Sequence, residues 1–280
     1  MSTQDIRVTA PARPGALAQP AVPHWRRMTQ SAWFAKAVGG IAILLAWELL
    51  VRWLAPNYVA KPSNILPVFI PTLTSEAMLE QAWATLWAVI QGLAISIVAG
   101  VVLGLAMGRV KFFDRLLRIY VTGLYAMPMT AILPLLTIWL GYSSGARLAT
   151  VIFASIFPIA MSVCDGARSV PHEYLEVARS YRARWHHIWL GITLASSLPY
   201  LFAGMKLAVG RALIGAVVAE FFISIDGLGF YILFNTRTFH HNAAFVAVIL
   251  LAGFAVAVDW VMDWGTLKFL PWYRAAERRQ

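Results

Sequence analysis

Four groups of residues in this sequence have types and spacings that chemistry uses. Gly141-Tyr142-Ser143-Ser144-Gly145 has the spacing of a hydrolase nucleophile elbow, where a tight strand-to-helix turn exposes a serine. His186–His187 and His240–His241 are paired imidazoles of the kind metals use. Glu48, Lys206, Arg211 and Glu220 are charges inside long apolar runs, where a charge marks a pathway, a proton relay or a buried partner. The fourth group is the stretch PHEYLEVARSYRARWHHIWL, Pro171 to Leu190, which is charged and aromatic between flanks oily enough to cross a bilayer.

Context removes the first two. An elbow needs a strand before its serine, but Ser143 follows an apolar helical run, so a flexible turn is expected there and not a hydrolase. Adjacent histidines point in different directions on a helix, and no His/Asp/Glu spacing completes a set of ligands, so interfacial side chains are expected and no metal site. No catalytic residue is assigned. The single cysteine, Cys164, has no internal disulfide partner and reads as a free buried thiol.

The remaining charges must be positioned by membrane helices. Hydrophobic residues make up 60% of the 280 and charged residues 13%, about half the charged share of a soluble domain. The apolar residues are grouped in runs of about 18 or more, enough to cross ~30 Å of hydrocarbon. An all-α membrane protein of about six spans follows, near residues 33–55, 82–107, 119–140, 146–163, 198–223 and 243–264. They form a domain over 31–272, with a disordered tail at 1–30 rich in Ala and Pro, a loop at 164–197 and a second tail at 273–280.

Most of the 23 basic residues lie on one side of these spans. They are Arg7, Arg13, Arg26, Arg27 and Lys36 at the start; Arg109, Lys111, Arg115 and Arg118 after the second span; Arg168, Arg179, Arg182 and Arg184 after the fourth; and Lys268, Arg274, Arg278 and Arg279 at the end. Arg52, Lys61, Arg147 and Arg237 face the other way. The bias puts both termini and the fourth-to-fifth connection in the cytoplasm. The net charge of +10 is therefore topological, and nucleic acid is not expected as a partner.

Within the spans, Gly100, Gly104 and Gly108 recur every four residues, a stripe that lets helix backbones approach closely. Pro128 and Pro134 in the third span and Pro158 in the fourth each remove a backbone hydrogen bond, which suits a pathway with moving parts. In the polar stretch, Ser169 is expected to cap a helix with Pro171 in its first turn, and Glu173 and Glu176 suit the positive end of the helix dipole. Tyr174, Val177, Ala178, Tyr181, Trp185, Ile188 and Trp189 fall three or four apart on one face. An interfacial helix explains that face. A docking element for a cytoplasmic partner also explains why the chain breaks at Ala195-Ser196-Ser197-Leu198-Pro199 before re-entering the membrane.

Glu176-Val177-Ala178, with Ile192 and Leu194 downstream, resembles the EAA loop of permease subunits of bacterial ABC importers. Met127–Gly141, Phe157–Val170, Gly204–Phe222, Asp226–Phe230 and Pro271–Arg274 are similar to the branch serving nitrate, sulfonate, taurine and bicarbonate-type solutes. The resemblance runs from about Trp33 to Arg274. It implies alternating access at the interface of two permease copies, a homodimer, with a small anionic or zwitterionic solute delivered by a periplasmic binding protein. Separate cytoplasmic ATPase subunits would carry ATP and magnesium; this chain has no G-x-x-x-x-G-K-S/T stretch and no cofactor of its own is expected.

The same resemblance gives Glu173, Glu176, Val177, Ala178, Tyr181 and Arg182 as the ATPase-coupling residues. Thr130, Thr137, Lys206, Arg211 and Glu220 are the candidates along the pathway, the last three because an ionisable group inside a span should face a partner or a wet cavity. Glu220 is expected to face protein towards the periplasmic end, hydrogen-bonded to a neighbouring helix or to the Gly227–Gly229 loop in preference to touching solute. Lys206 and Arg211 either attract an anion or snorkel to the interface. The family has glycine where Arg182 stands and proline where Ala195 stands; arginine favours helix continuation, so the turn is expected to be displaced or widened. The competing reading is an ion-coupled secondary transporter using Glu48 and Glu220.

Overall fold

The computed structural model describes residues 32–54 and 59–269. The two tails, with the basic residues counted on them and the Pro271–Arg274 motif, lie outside the described residues. The chain divides into two units, residues 1–55 and 56–280. In the first, α1 (Ala32–Leu54) is one apolar helix, and its Glu48 and Arg52 pair one turn apart at 2.6 Å, as i,i+4 geometry allows.

The described part of the second unit is helical: α2 (Pro62–Leu73), α3 (Glu76–Arg109), α4 (Lys111–Ala126), α5 (Met129–Leu140), α6 (Ser144–Arg168), α7 (His172–Ser180), a π-helical segment (His187–Leu194), α8 (Ala195–Ile223), α9 (Leu228–Arg237) and α10 (His241–Phe269). Among the described residues, five helical stretches are long and apolar enough to cross a membrane, namely α1, α3, α6, the π segment with α8, and α10. A sixth span exists if α4 and α5, bent by 104° at their junction, are taken together. The straight third span expected at 119–140 is thus broken. Met127 is extended (ψ 132°) because the ring of Pro128 bars its predecessor from helical ψ, and Pro128 itself is also extended (ψ 132°).

Two further differences have simple causes. α3 begins at Glu76, where the Ser75 hydroxyl accepts from Met78 N at 3.3 Å, and α6 runs on to Arg168. Helical hydrogen bonding continues past the apolar core that hydropathy detects, so residues 164–168 belong to α6 and not to the loop. The break expected at Ala195–Pro199 does not occur either. The π-helical turn enters α8 without interruption, its wider register being one known way a helix absorbs irregularity.

α6 is the centre of the bundle, with α3 on one side and α8 on the other. Facing α6, the glycine stripe of α3 extends to Gly92 and Ser96. A Cβ on Gly92 would stand 2.4 Å from Val151 Cγ1, one on Gly104 2.5 Å from the Ala160 carbonyl oxygen, and one on Gly108 2.5 Å from Ala167 Cβ. The hydroxyls of Ser96 and Ser155 lie 2.8 Å apart within this seam. Between lipid-embedded helices there is no hydrophobic driving force, so close backbone approach and the dispersion contacts it gives hold the pair together. Leu105, Ile159, Val163, Ala167 and Ala208 close the core towards the π segment, whose Trp189 and Leu194 pack on them. Cys164 is buried beside Met107, Val121 and Phe157.

Candidate functional site

One carboxylate organises the end of the bundle where α8 meets α9. Glu220, in the penultimate turn of α8, is completely buried. The Thr85 hydroxyl of α3 lies 2.8 and 3.0 Å from its two oxygens, and Arg147 Nη1, from the start of α6, is 3.3 Å away. Gly229 N donates to it at 2.8 Å. Around this centre, Leu228 N donates to the Thr85 hydroxyl at 2.7 Å, Gly227 N to Gln81 Oε1 at 2.5 Å, and Arg147 Nη1 to the Asp226 carbonyl at 2.5 Å. Helix α8 ends one residue past Ile223 through the left-handed Ser224 (φ 57°), which turns the chain so that 226–229 fold back over the carboxylate.

Gly227 is required by this geometry. Its φ is +154°, and a Cβ there would sit 2.1 Å from Glu220 Cδ. A buried carboxylate persists when it is paired and its lone pairs are filled, and here α3, α6 and the first turn of α9 supply the donors. Glu220 faces protein and bonds the Gly227–Gly229 loop, as the sequence suggests. Gln81, Thr85 and Arg147 were not foreseen. Arg147 carries no sequence signal beyond a charge on the outer side, and nothing local marks Thr85 as a carboxylate's partner or Gln81 as the acceptor for Gly227 N.

The other pathway candidates separate. Lys206 is committed to two carboxylates of α10, Asp263 at 2.5 Å and Asp259 at 3.4 Å, so it neither snorkels unpaired nor stands open to an anion. Thr137 is buried, and its hydroxyl donates to the Pro134 carbonyl at 2.8 Å. Thr130 is exposed in the first turn of α5. Arg211 lies over the Tyr125 ring, 4.1 Å from its centroid, and donates from Nη1 to the Tyr125 carbonyl at 3.1 Å. It lines a cavity of about 370 Å³ at the α4–α5 bend.

At the opposite end, α7 carries the coupling candidates. Pro171, not Ser169, stands at its N-cap, while the Ser169 hydroxyl donates back to the Gly166 carbonyl at the end of α6. Leu175 is buried; Glu173, Tyr174, Glu176, Val177, Tyr181 and Arg182 are exposed, and Ala178 is half-buried. The stripe therefore does not run along one helix to Trp189: α7 stops at Ser180, and the remaining members lie beyond a turn.

That turn corrects the expectation for Arg182. It is neither displaced nor widened. Arg182 N donates to the Arg179 carbonyl at 2.8 Å and Ala183 N to the Ala178 carbonyl at 2.9 Å, the paired bonds of a Schellman cap. Arg182 has φ 51° in the position usually held by glycine. Left-handed backbone costs a side-chain-bearing residue about 1–2 kcal/mol, yet two otherwise orphaned carbonyls gain partners. Phe239 (φ 62°) holds the same position after α9, with His240 N donating to the Asn235 carbonyl at 2.8 Å. Ser143 is also explained: its Oγ donates to the Leu140 carbonyl at 2.9 Å and accepts from Ala146 N at 3.4 Å, so it is the cap of α6.

A bundle centred on a glycine-seamed helix pair, a broken span and an amphipathic helix outside the spans describe a membrane transport permease. Residues 92–266 match the binding-protein-dependent transport system inner membrane component family, and the chain belongs to that family. The formylaminopyrimidine transport permease protein ThiX of Halalkalibacterium halodurans is 28% identical over 213 residues, covering 76% of this chain and 85% of that one. The bicarbonate transport system permease protein CmpB of Synechocystis is 24% identical over 241 residues, with 81% and 84% covered. The nitrate import permease protein NrtB of the same organism is 27% identical over 206 residues, with 70% and 74% covered. The chain is thus a multi-pass inner-membrane permease subunit of the ABC importer class, and the ion-coupled secondary transporter is not supported.

Proposed function

We propose that two copies of this chain form the translocation pathway of an ATP-driven importer for a small anionic or zwitterionic solute. A periplasmic binding protein delivers the solute, and cytoplasmic ATPase subunits bind α7. Both termini and α7 lie on the cytoplasmic side. The observation that carries this reading is the α7 turn: Glu176, Val177 and Tyr181 are exposed, and the turn leads through the π segment directly into α8. An acidic helix start beside exposed apolar groups suits a groove on a partner. The unbroken backbone beyond it gives that partner a route to a membrane span.

The charge bias of the connections supports the orientation, and the family supports the ATPase and the binding protein as partners. The test is Glu176→Lys in the full transporter. Charge reversal should detach the ATPase or separate ATP hydrolysis from uptake while the permease remains in the membrane. Normal uptake with a full complement of bound ATPase would refute the docking role.

A further inference from the structure

Two basic side chains, Lys206 and Arg211, lie in the middle of α8, far from its ends. Arg52, Arg118, Arg147, Arg168 and Lys206 each have a carboxylate partner; among the described residues Arg211 has none. It is seventeen residues into a 29-residue helix, where an unpaired charge faces a wet cavity or a bound partner and not lipid. The cavity at the α4–α5 bend meets that requirement. Its volume of about 370 Å³ lies within the range of about 300–1,000 Å³ that ligand pockets occupy.

Among the described residues Arg211 is the only charged side chain lining that cavity, and Tyr125, Met127, Phe153, Phe157 and Ile214 supply its apolar walls. The Tyr125 ring covers one face of the guanidinium and the Tyr125 carbonyl takes one N–H of Nη1. Of the five donors on the planar fork, the others stay open for an oxyanion, which a guanidinium can grip with two parallel bonds. The carbonyl ends of α4 would repel an anion, but the bond from Arg211 to Tyr125 offsets part of that field. The walls set the second requirement. Phe153 and Phe157, packed edge to face at 5.1 Å, favour an aromatic or aliphatic body, and a small inorganic anion has no such body to set against them.

We propose that Arg211 and the aromatic wall at the α4–α5 bend form a solute-binding site for an organic monoanion, a sulfonate or carboxylate on an apolar or aromatic body. This deepens the importer reading and rests on it for the site's role in transport. Binding itself can be measured without that reading.

The purified permease–ATPase complex in nanodiscs, without binding protein, is titrated with benzenesulfonate, its neutral isostere benzenesulfonamide, and nitrate. The wild type should bind benzenesulfonate at least about ten-fold tighter than the sulfonamide, as a charge-assisted bond implies, and nitrate more weakly than either. Arg211→Gln should abolish the preference for the anion while the sulfonamide still binds. Ile214→Trp, at an exposed position on the cavity wall, should weaken both ligands and leave Arg211's own contacts intact. An equal loss of both ligands in Arg211→Gln would make Arg211 a cap for α4 only and overturn the proposal. So would a retained preference, wild-type binding that favours nitrate, or no binding to the wild type. ATP-dependent uptake in proteoliposomes with binding protein is the separate arm: its absence beside intact anion-selective binding would overturn the importer reading and leave the site standing.

Discussion

Glu220 and Glu176 are both glutamates on helices of this chain, and their surroundings are opposed. Glu220 is wholly buried, with donors from α3, α6 and the first turn of α9 converging on it. Glu176 is exposed on a nine-residue helix, among exposed Tyr174, Val177 and Tyr181. The first cluster turns its carboxylate onto donors of the same chain, although Arg147 Nε is buried without a partner among the described residues, so it holds a shape. The second leaves its hydrogen-bonding capacity unspent, so it is free to meet another protein. A charge in a membrane protein is informative through what surrounds it more than through its depth.

The strongest way to break the contrast is Glu220→Ala. Arg147, Thr85 and Gly229 N would lose their common acceptor, and deleting one member of a buried pair costs about 3–5 kcal/mol. A fall of that size in the permease's resistance to heat or denaturant is expected, and Glu220→Gln should recover part of it by restoring an acceptor. Gly227→Ala should cost less alone, about 1–3 kcal/mol from overpacking with added backbone strain. Combined with Glu220→Ala its extra effect should shrink, because the atoms the new Cβ strikes are gone. Additive losses in that double-mutant cycle would show that the two positions do not share one contact.

Glu176→Lys should leave the same stability measurements within ~0.5 kcal/mol, as for exposed sites, while ATP-driven uptake falls at least about ten-fold through a lost interface charge. A matching loss of stability would remove the distinction between the two regions. The smallest effect belongs to Arg182→Gly. Relieving the left-handed cost should stabilise the α7 turn by up to ~1 kcal/mol, reduced by glycine's greater freedom when unfolded. Uptake should survive, and complete loss of transport in this variant would mean that the arginine side chain itself is needed.

How far the sequence could be read depended on the range of the forces involved. Helix type, number of spans and the α3 stripe follow from periodicity, which is local. Glu220's burial follows from the cost of a carboxylate in an apolar run, and one of its three partners, Gly229 N, lies in the nearby glycine-rich segment. Thr85 and Gln81 could not be found, being some 140 positions away in a different helix. Arg182 was misread because propensity favours continuing the helix, whereas the cap's two backbone bonds, 2.8 and 2.9 Å, outweigh a preference of that size. The bend at Met127–Pro128 was half legible: proline marks a break, but 104° is set by the helices that pack around it.

The order of the Glu220 partners along the chain has a consequence for how the protein is made. Synthesis delivers segments from the N-terminus onwards. Gln81 and Thr85 arrive with α3, and Arg147 arrives with α6, before α8 leaves the ribosome with Glu220. The carboxylate therefore enters the membrane after two of its three partners, Thr85 and Arg147, are already in place, and only Gly229 follows it. A circular permutation placing α8 ahead of α3 would keep every final contact yet send Glu220 into lipid unaccompanied. Such a chain should insert poorly even though its finished structure is the same.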